Sequence, residues 1–185
     1  LAQRMLEQAL ALEADIDLDT VLHVGGGELK TVTGENAVYH ARSVIIASGA
    51  KHRRLGLPDE ERFIGNGISF CAVCDGAFYK GQHVALVGGG NTALQEAVLL
   101  SESCAKLTVI QNLAYLTGER RMIDALAARD NIEYRYSTVI TAYEGESELT
   151  ALRLLNTETQ QTSILPVDGV FLAVGTEPEN APFAE

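Results

Sequence analysis

Val84-Ala85-Leu86-Val87 runs without a break into Gly88-Gly89-Gly90-Asn91-Thr92-Ala93, and this segment limits the folds open to the chain more than any other. Four apolar residues followed by three glycines read as a buried strand entering a tight turn, with a helix leaving it from Asn91. Gly88 to Ala93 fits the G-x-G-x-x-A version of the dinucleotide fingerprint. In that pattern the glycines let backbone approach a pyrophosphate, the helix N-terminus faces it, and the last small residue lets helix and strand pack closely. The competing reading is a Gly-rich turn with no ligand. The strand and helix flanking the turn favour the dinucleotide.

The residues around this segment continue the alternation. Strands are predicted at His83 to Val87, Leu107 to Ile110 and Ile132 to Tyr136, with helices at Asn91 to Ser101 and Glu119 to Arg129 between them. That order predicts an α/β fold, a doubly wound and mostly parallel Rossmann-like domain. Thr138 to Tyr143, Leu149 to Leu155 and Gln161 to Pro166 read as an antiparallel β-meander, before Val170 to Val174 returns to the sheet. Upstream, a helix to about Ala14 and short strands at Ile16 to Val24, Glu28 to Thr33 and Ala37 to Tyr39 are predicted. Arg42 to Ala50 reads as a buried strand ending in small residues, and Lys51 to Gly67, rich in charge, Gly and Pro, as a linker. The chain starts at Leu1 inside a helical pattern and stops in a polar, Pro-containing stretch, so a fragment at both ends is expected.

A net charge of -11 excludes partners that need clustered Lys and Arg, namely nucleic acid and anionic membrane surfaces. No apolar run approaches the roughly 20 residues needed to span a bilayer, and no signal peptide is evident, so a cytoplasmic protein is expected. Three cysteines are too few for a disulfide scaffold. Two of them form Cys71-Ala72-Val73-Cys74, which can close a small disulfide ring and carry electrons in repeated cycles. The alternative, a zinc half-site, lacks a second Cys pair or a spaced His pair, so no metal is expected. Cys104 reads as a small buried hydrophobe, and His23, His40 and His83 show neither triad nor metal spacing.

The order of Ala47-Ser48-Gly49-Ala50, Leu55-Gly56-Leu57-Pro58, Cys71-Ala72-Val73-Cys74-Asp75-Gly76, the glycine turn and Ala173-Val174-Gly175 resembles low-molecular-weight thioredoxin reductase over almost the whole chain. The resemblance implies a flavoprotein in which NADPH or NADH reduces FAD, FAD reduces the Cys71/Cys74 disulfide, and the pair reduces thioredoxin or a similar protein. It implies residues 1–53 as the central part of an FAD-binding domain, 54–179 as the pyridine nucleotide domain carrying the Cys pair, and 180–185 as the start of the return crossing. A homodimer of the longer protein is implied too, as is rotation of the domains about segments near Lys51 to Gly67 and Thr176 to Pro182.

By the same resemblance Cys74 is the sulfur nearer the flavin, Cys71 attacks the partner disulfide, and Asp75 is the acid/base group. Cofactor contacts are implied at Gly88, Gly89, Gly90, Asn91, Thr92, Ala93 and Glu96, and, on the FAD side and at the domain junction, at Ser48, Gly49, Ala50 and Gly175. The departure is at the end of the second strand. NADPH-using members carry an Arg-rich run there for the 2′-phosphate, whereas this chain has Gln111-Asn112-Leu113, with Thr117 further on. Gln111 and Asn112 suit a neutral ribose, and Arg120 and Arg121 are the nearest candidates for a phosphate. NADPH, NADH as in the reductase subunit for peroxiredoxins, and ferredoxin all stay open as donors. A nucleotide-binding redox sensor without turnover is the competing class.

Overall fold

A computed structural model describes residues 2–183, which form two compact units. One comprises the residues up to Ala50 together with those from Pro178, and the other Lys51–Glu177. Leu1, Ala184 and Glu185, which the sequence reading assigns to the opening helix and the closing crossing, lie outside the described residues.

The first unit carries helix α1 (Ala2–Ala11) and an antiparallel meander of β1 (Val21–Gly25), β2 (Lys30–Gly34) and β3 (Val38–Ala41). The Asp19 carboxylate clasps the β2–β3 turn by accepting from the Asn36 and Ala37 N–H groups. Beyond β3 the structure corrects the sequence reading. Residues 42–49 form no strand, and Ile45 and Ile46 are 93% and 52% exposed. A continuous apolar run becomes a buried strand only where neighbouring strands take its backbone groups and a layer covers each face. Among the described residues none does so here. The strand that does form, β4 (Ala50–His52), pairs with β13 (Thr176–Pro178) in a two-stranded ribbon.

The second unit is built on a five-stranded parallel sheet in the order β5 (Ile68–Ser69), β12 (Gly169–Leu172), β6 (His83–Val87), β7 (Lys106–Ile110), β8 (Ile132–Arg135). Alternation along these strands sorts their side chains between two cores. Val84 and Leu86 of β6, Leu107 and Val109 of β7, and Phe171 of β12 face one way. There they meet Leu94, Ala97 and Leu100 of α4 (Asn91–Ser103) and Leu126 of α5 (Arg120–Ala127). Cys104, 6% exposed, completes that cluster, and burial pushes its thiol pKa up. Ala85, Ile110, Val170 and Leu172 face the other way, onto Ile140, Leu152, Leu154 and Leu165. These last belong to a separate antiparallel sheet of β9 (Thr138–Gly145), β10 (Leu149–Asn156) and β11 (Thr162–Pro166).

The stretch read as a linker is exposed over much of its length, yet its apolar residues are anchored in this core. Helix α2 (Glu60–Phe63) buries Phe63 completely, and Leu55, Leu57 and Ile64 pack against the same cluster. Glu60, only 4% exposed, organises the loop before it: its carboxylate accepts from the N–H groups of Leu55, Gly56 and Leu57. Glu60→Ala is expected to lower stability by about 2 kcal/mol in urea unfolding, because three backbone donors lose their acceptor. A loss below about 0.5 kcal/mol, within the range of an ordinary surface change, would mean that the loop holds without the carboxylate.

Candidate functional site

The glycine turn leaves the C-terminal edge of β6, the end of a parallel sheet where ligands bind in open α/β folds. Gly88 takes φ 132°, and a Cβ there would lie 2.5 Å from the Ala173 carbonyl oxygen of the neighbouring strand. A side chain at Gly89 would run into Gln111. Helix α4 then starts at Asn91 with Gly90 as its N-cap and no side chain capping its first turn. This leaves the helix N-terminus facing a cavity of about 700 Å³ lined by Gly88 to Ala93, Gln111, Asn112, Thr117 and Gly175. Free N–H groups and the dipole of a 13-residue helix fit a pyrophosphate, and the absence of Cβ atoms gives it room.

The turn is braced from outside. The Thr117 and Gly118 N–H groups both donate to the Gly89 carbonyl, and Asn91 Oδ1 accepts from the Glu119 N–H. Gln111, 5% exposed, sits just past β7, where its Nε2 donates to the Tyr115 carbonyl. Gln111 and Asn112 thus reach the cavity, as do Leu113, Val139 and Ile140, which the sequence reading did not single out. Arg53, from the stretch read as a linker, also lines it, paired with Glu177. Arg120 and Arg121 do not line it. They are 86% and 80% exposed and paired with Asp124 and Glu119, because their helix turns that face to solvent.

Cys71 and Cys74 are joined as a disulfide at the start of α3 (Ala72–Asp75), their Cα atoms 5.3 Å apart. Three hydrogen bonds hold this turn. Cys71 Sγ accepts from the Cys74 N–H at 3.1 Å, the Cys71 N–H donates to Ser69 Oγ, and the Asp75 N–H donates to the Cys71 carbonyl at 3.0 Å. The first of these bonds stabilises negative charge on Cys71 once the bond is reduced. Cys74 is exposed and Cys71 half-buried. Asp75 follows directly, and its Oδ2 accepts from the Ser69 hydroxyl at 2.7 Å. Ala72 shares the apolar cluster of Ala93 and Ala97, so the dithiol helix packs on the helix that begins at the glycine turn. Among the described residues no group of three or more His, Cys, Asp or Glu is placed to hold a metal ion.

Glu96, on α4, does not line the cavity, and its Oε2 is buried and unpartnered. Burial holds its carboxyl above the usual carboxylate range, with the Ala72 N–H opposing. A carboxyl whose pKa is higher folded than unfolded binds the extra proton in the folded state, so stability falls as pH rises from the unfolded through the folded pKa. Glu96→Gln, which has nearly the same size and cannot ionise, is expected to gain stability over the parent residue above that window and none below it. Urea unfolding across roughly pH 4 to 8 tests this; a parallel offset at all pH values would contradict it. Ser48, Gly49 and Ala50 lie exposed in the first unit.

A parallel sheet with a glycine turn at its carboxyl edge and a closed CxxC disulfide on the adjoining helix is the combination that the family comparison accounts for. Residues 4–185 match the family described as pyridine nucleotide-disulphide oxidoreductase, and the chain belongs to that family. It is 37% identical over 185 residues to a thioredoxin reductase of Streptomyces coelicolor, covering 99% of this chain and 58% of that relative. Among solved structures, thioredoxin reductase from Streptococcus pyogenes matches with TM-score 0.77 and 34% identity, and that of Lactococcus lactis with 0.81 and 27%. Each covers 97% of this chain and 60% of its own. The chain thus spans a little under two thirds of the length of its relatives.

Proposed function

We propose that this chain is the dinucleotide-binding and dithiol-bearing portion of a thioredoxin reductase-like flavoprotein, passing an electron pair from a nicotinamide dinucleotide to a protein disulfide. One observation carries the reading: the Cys71–Cys74 disulfide sits on a helix packed against the one that opens at the glycine turn, within one compact unit. The first unit, with Ser48, Gly49 and Ala50, is then part of an FAD-binding domain, and residues 54–179 are the nucleotide domain. The described residues of the first unit form no Gly-rich strand-turn-helix of their own, so they do not by themselves fit a flavin, and no step is assigned through it here.

In the reduced pair, the Cys71 thiolate attacks one sulfur of the partner disulfide, whose other sulfur leaves and takes a proton. Cys74 then attacks Cys71 Sγ, the mixed disulfide breaks, and the second partner sulfur leaves as a thiol. Two electrons and two protons pass from the Cys pair to the partner. Asp75 is the group that supplies and recovers the proton. Thioredoxin or a thioredoxin-like protein is the partner this assigns, in a cytoplasmic homodimer. No helix among the described residues is long and apolar enough to cross a membrane.

The donor assigned here is NADH. A 2′-phosphate needs guanidinium partners, and the end of β7 offers Gln111, Asn112 and Leu113 instead, with Arg120 and Arg121 turned away and Arg53, the guanidinium that does line the cavity, already paired with Glu177. Calorimetric titration of the 185-residue chain is expected to show NADH binding at least about tenfold tighter than NADPH, one good charge-assisted contact being worth that much. Gln111→Arg is expected to narrow or invert the ratio. Tighter NADPH would overturn the donor assignment. Binding of neither, together with no flavin bleaching by either in a full-length, FAD-loaded form, would point to ferredoxin or to a redox sensor without turnover.

A further inference from the structure

Ser69 ends the short edge strand β5, where its backbone is fixed by parallel pairing opposite Phe171. The residue is only 5% exposed, on the face of β5 opposite Ile68. A buried hydroxyl needs partners for both its proton and its lone pairs. Ser69 has both, and both belong to the dithiol turn. It accepts from the Cys71 N–H at 3.1 Å and donates to Asp75 Oδ2 at 2.7 Å. Accepting from a backbone group that cannot swing away fixes where the hydroxyl proton points.

The consequence falls on Asp75. A carboxylate at the end of a four-residue helix has free torsions at χ1 and χ2 and, if unrestrained, samples several rotamers. Proton transfer requires one of them, held within hydrogen-bond reach of the sulfur that gains or loses the proton. Of the hydrogen bonds the structure gives Asp75, the one made by its carboxylate comes from Ser69, so the hydroxyl selects the rotamer.

We propose that Ser69 is a positioning residue for proton transfer at the Cys71/Cys74 pair, holding the Asp75 carboxylate in place through its hydroxyl. This rests on the reading of Asp75 as the acid/base group. The chemistry affected is the departure of the partner sulfur: as the Cys71–partner S–S bond forms and the partner S–S bond breaks, the departing thiolate takes its proton from the Asp75 carboxyl. The oxidant is the partner disulfide and the reductant the Cys pair, so no further redox agent is required.

Leaving-group chemistry separates positioning from a merely structural role. An aryl disulfide such as dithionitrobenzoate releases a strongly acidic thiol that departs unaided, whereas bis-hydroxyethyl disulfide releases a basic alkyl thiolate that needs the proton. The whole 185-residue chain, reduced with dithiothreitol and freed of it, is mixed with each disulfide in a stopped-flow instrument. Ser69→Ala is expected to slow the alkyl reaction about tenfold, a fraction of the range for general acid catalysis, while leaving the aryl reaction within twofold. Ser69→Thr, which restores the hydroxyl, is expected to recover the alkyl rate. Equal slowing of both disulfides by Ser69→Ala would show a disturbed dithiol turn and overturn the proposal. Asp75→Asn, run alongside, must show the same leaving-group dependence. If it does and Ser69→Ala does not, the Ser69 role fails alone; if Asp75→Asn shows none, the acid/base reading fails and the proposal with it.

Discussion

Cys71→Ser is expected to remove disulfide reduction while leaving dinucleotide binding intact, and Cys74→Ser to do the same. A serine hydroxyl has nearly the size of a thiol, and Cys71 sits at a helix N-cap, a position that serine also suits. The fold therefore has little reason to respond. The chemistry has every reason, because an alkoxide neither forms at neutral pH nor closes a bond to sulfur, so the electron pair has nowhere to be stored. In a full-length, FAD-loaded form, turnover of a protein disulfide is expected to fall at least about a thousandfold with either change, towards the uncatalysed rate. Affinity for NADH, measured by calorimetry on the same variants, is expected to stay within about twofold, since the cavity residues are untouched. The two variants should also differ from each other. With Cys71 present and Cys74 absent, a single attack on a partner disulfide still occurs and traps a mixed disulfide visible by mass spectrometry. With Cys71 absent, the exposed Cys74 lacks the N–H bond that favours a thiolate at Cys71, and trapping should be slower. Persistence of turnover in either single variant would remove the pair from the mechanism, whereas dinucleotide binding with no turnover even in the unmutated form would leave the redox-sensor reading as the stronger one.

What was legible in the sequence is what local periodicity and motif spacing encode. Val84 to Val87 reads as the body of a strand because each of these residues is apolar, and Val84, Ala85 and Leu86 are buried on both faces, as such runs in parallel sheets are. The glycine turn reads correctly because its constraints are local: Gly88 must take a positive φ, and Gly89 next to it has no room for a side chain. Val44 to Ala47 is a comparable apolar run and does not form a strand, since a strand is a property of its neighbours, and composition carries no information on whether they are there. Lys51 to Gly67 misleads in the opposite direction. Its charges and glycines suggest a linker, yet Glu60 is placed where three backbone N–H groups converge, a relation that exists only after the loop folds around it. Ser69 escaped notice for a similar reason. Two residues upstream of Cys71 it is an ordinary serine, and its role appears once β5 aims it between a backbone N–H and Asp75. Arg120 and Arg121 show the converse, since nearness in sequence to the cavity does not decide which way a helix face points.

Gly88→Ala and Gly90→Ala should separate what the glycine turn does for the fold from what it does for the ligand. Gly88 is pinned on both sides of its strand, its N–H donating to the Ile110 carbonyl while the next strand's Ala173 N–H donates to the Val87 carbonyl just before it. The added methyl would meet the Ala173 oxygen at 2.5 Å and the Ala93 methyl at 3.1 Å, and the backbone cannot retreat without breaking one ladder or the other. Strain at φ 132° adds to the clash, so a stability loss of about 3 kcal/mol is expected in urea unfolding. NADH affinity should fall with it. Gly90 is different. Its backbone is extended at φ -85°, which any residue adopts, and a Cβ there would find nothing nearer than Thr117 Oγ1 at 3.9 Å. The cost to the fold should be under about 1 kcal/mol, the usual scale for an alanine at an N-cap. The methyl would nevertheless stand in the cavity at the helix N-terminus, where a pyrophosphate has to approach backbone, and NADH affinity is expected to drop at least about thirtyfold, a loss of roughly 2 kcal/mol. Stability and affinity falling together in Gly88→Ala, with affinity falling alone in Gly90→Ala, would place the dinucleotide at this turn. Unchanged affinity in Gly90→Ala would show that the turn closes the fold without holding the ligand.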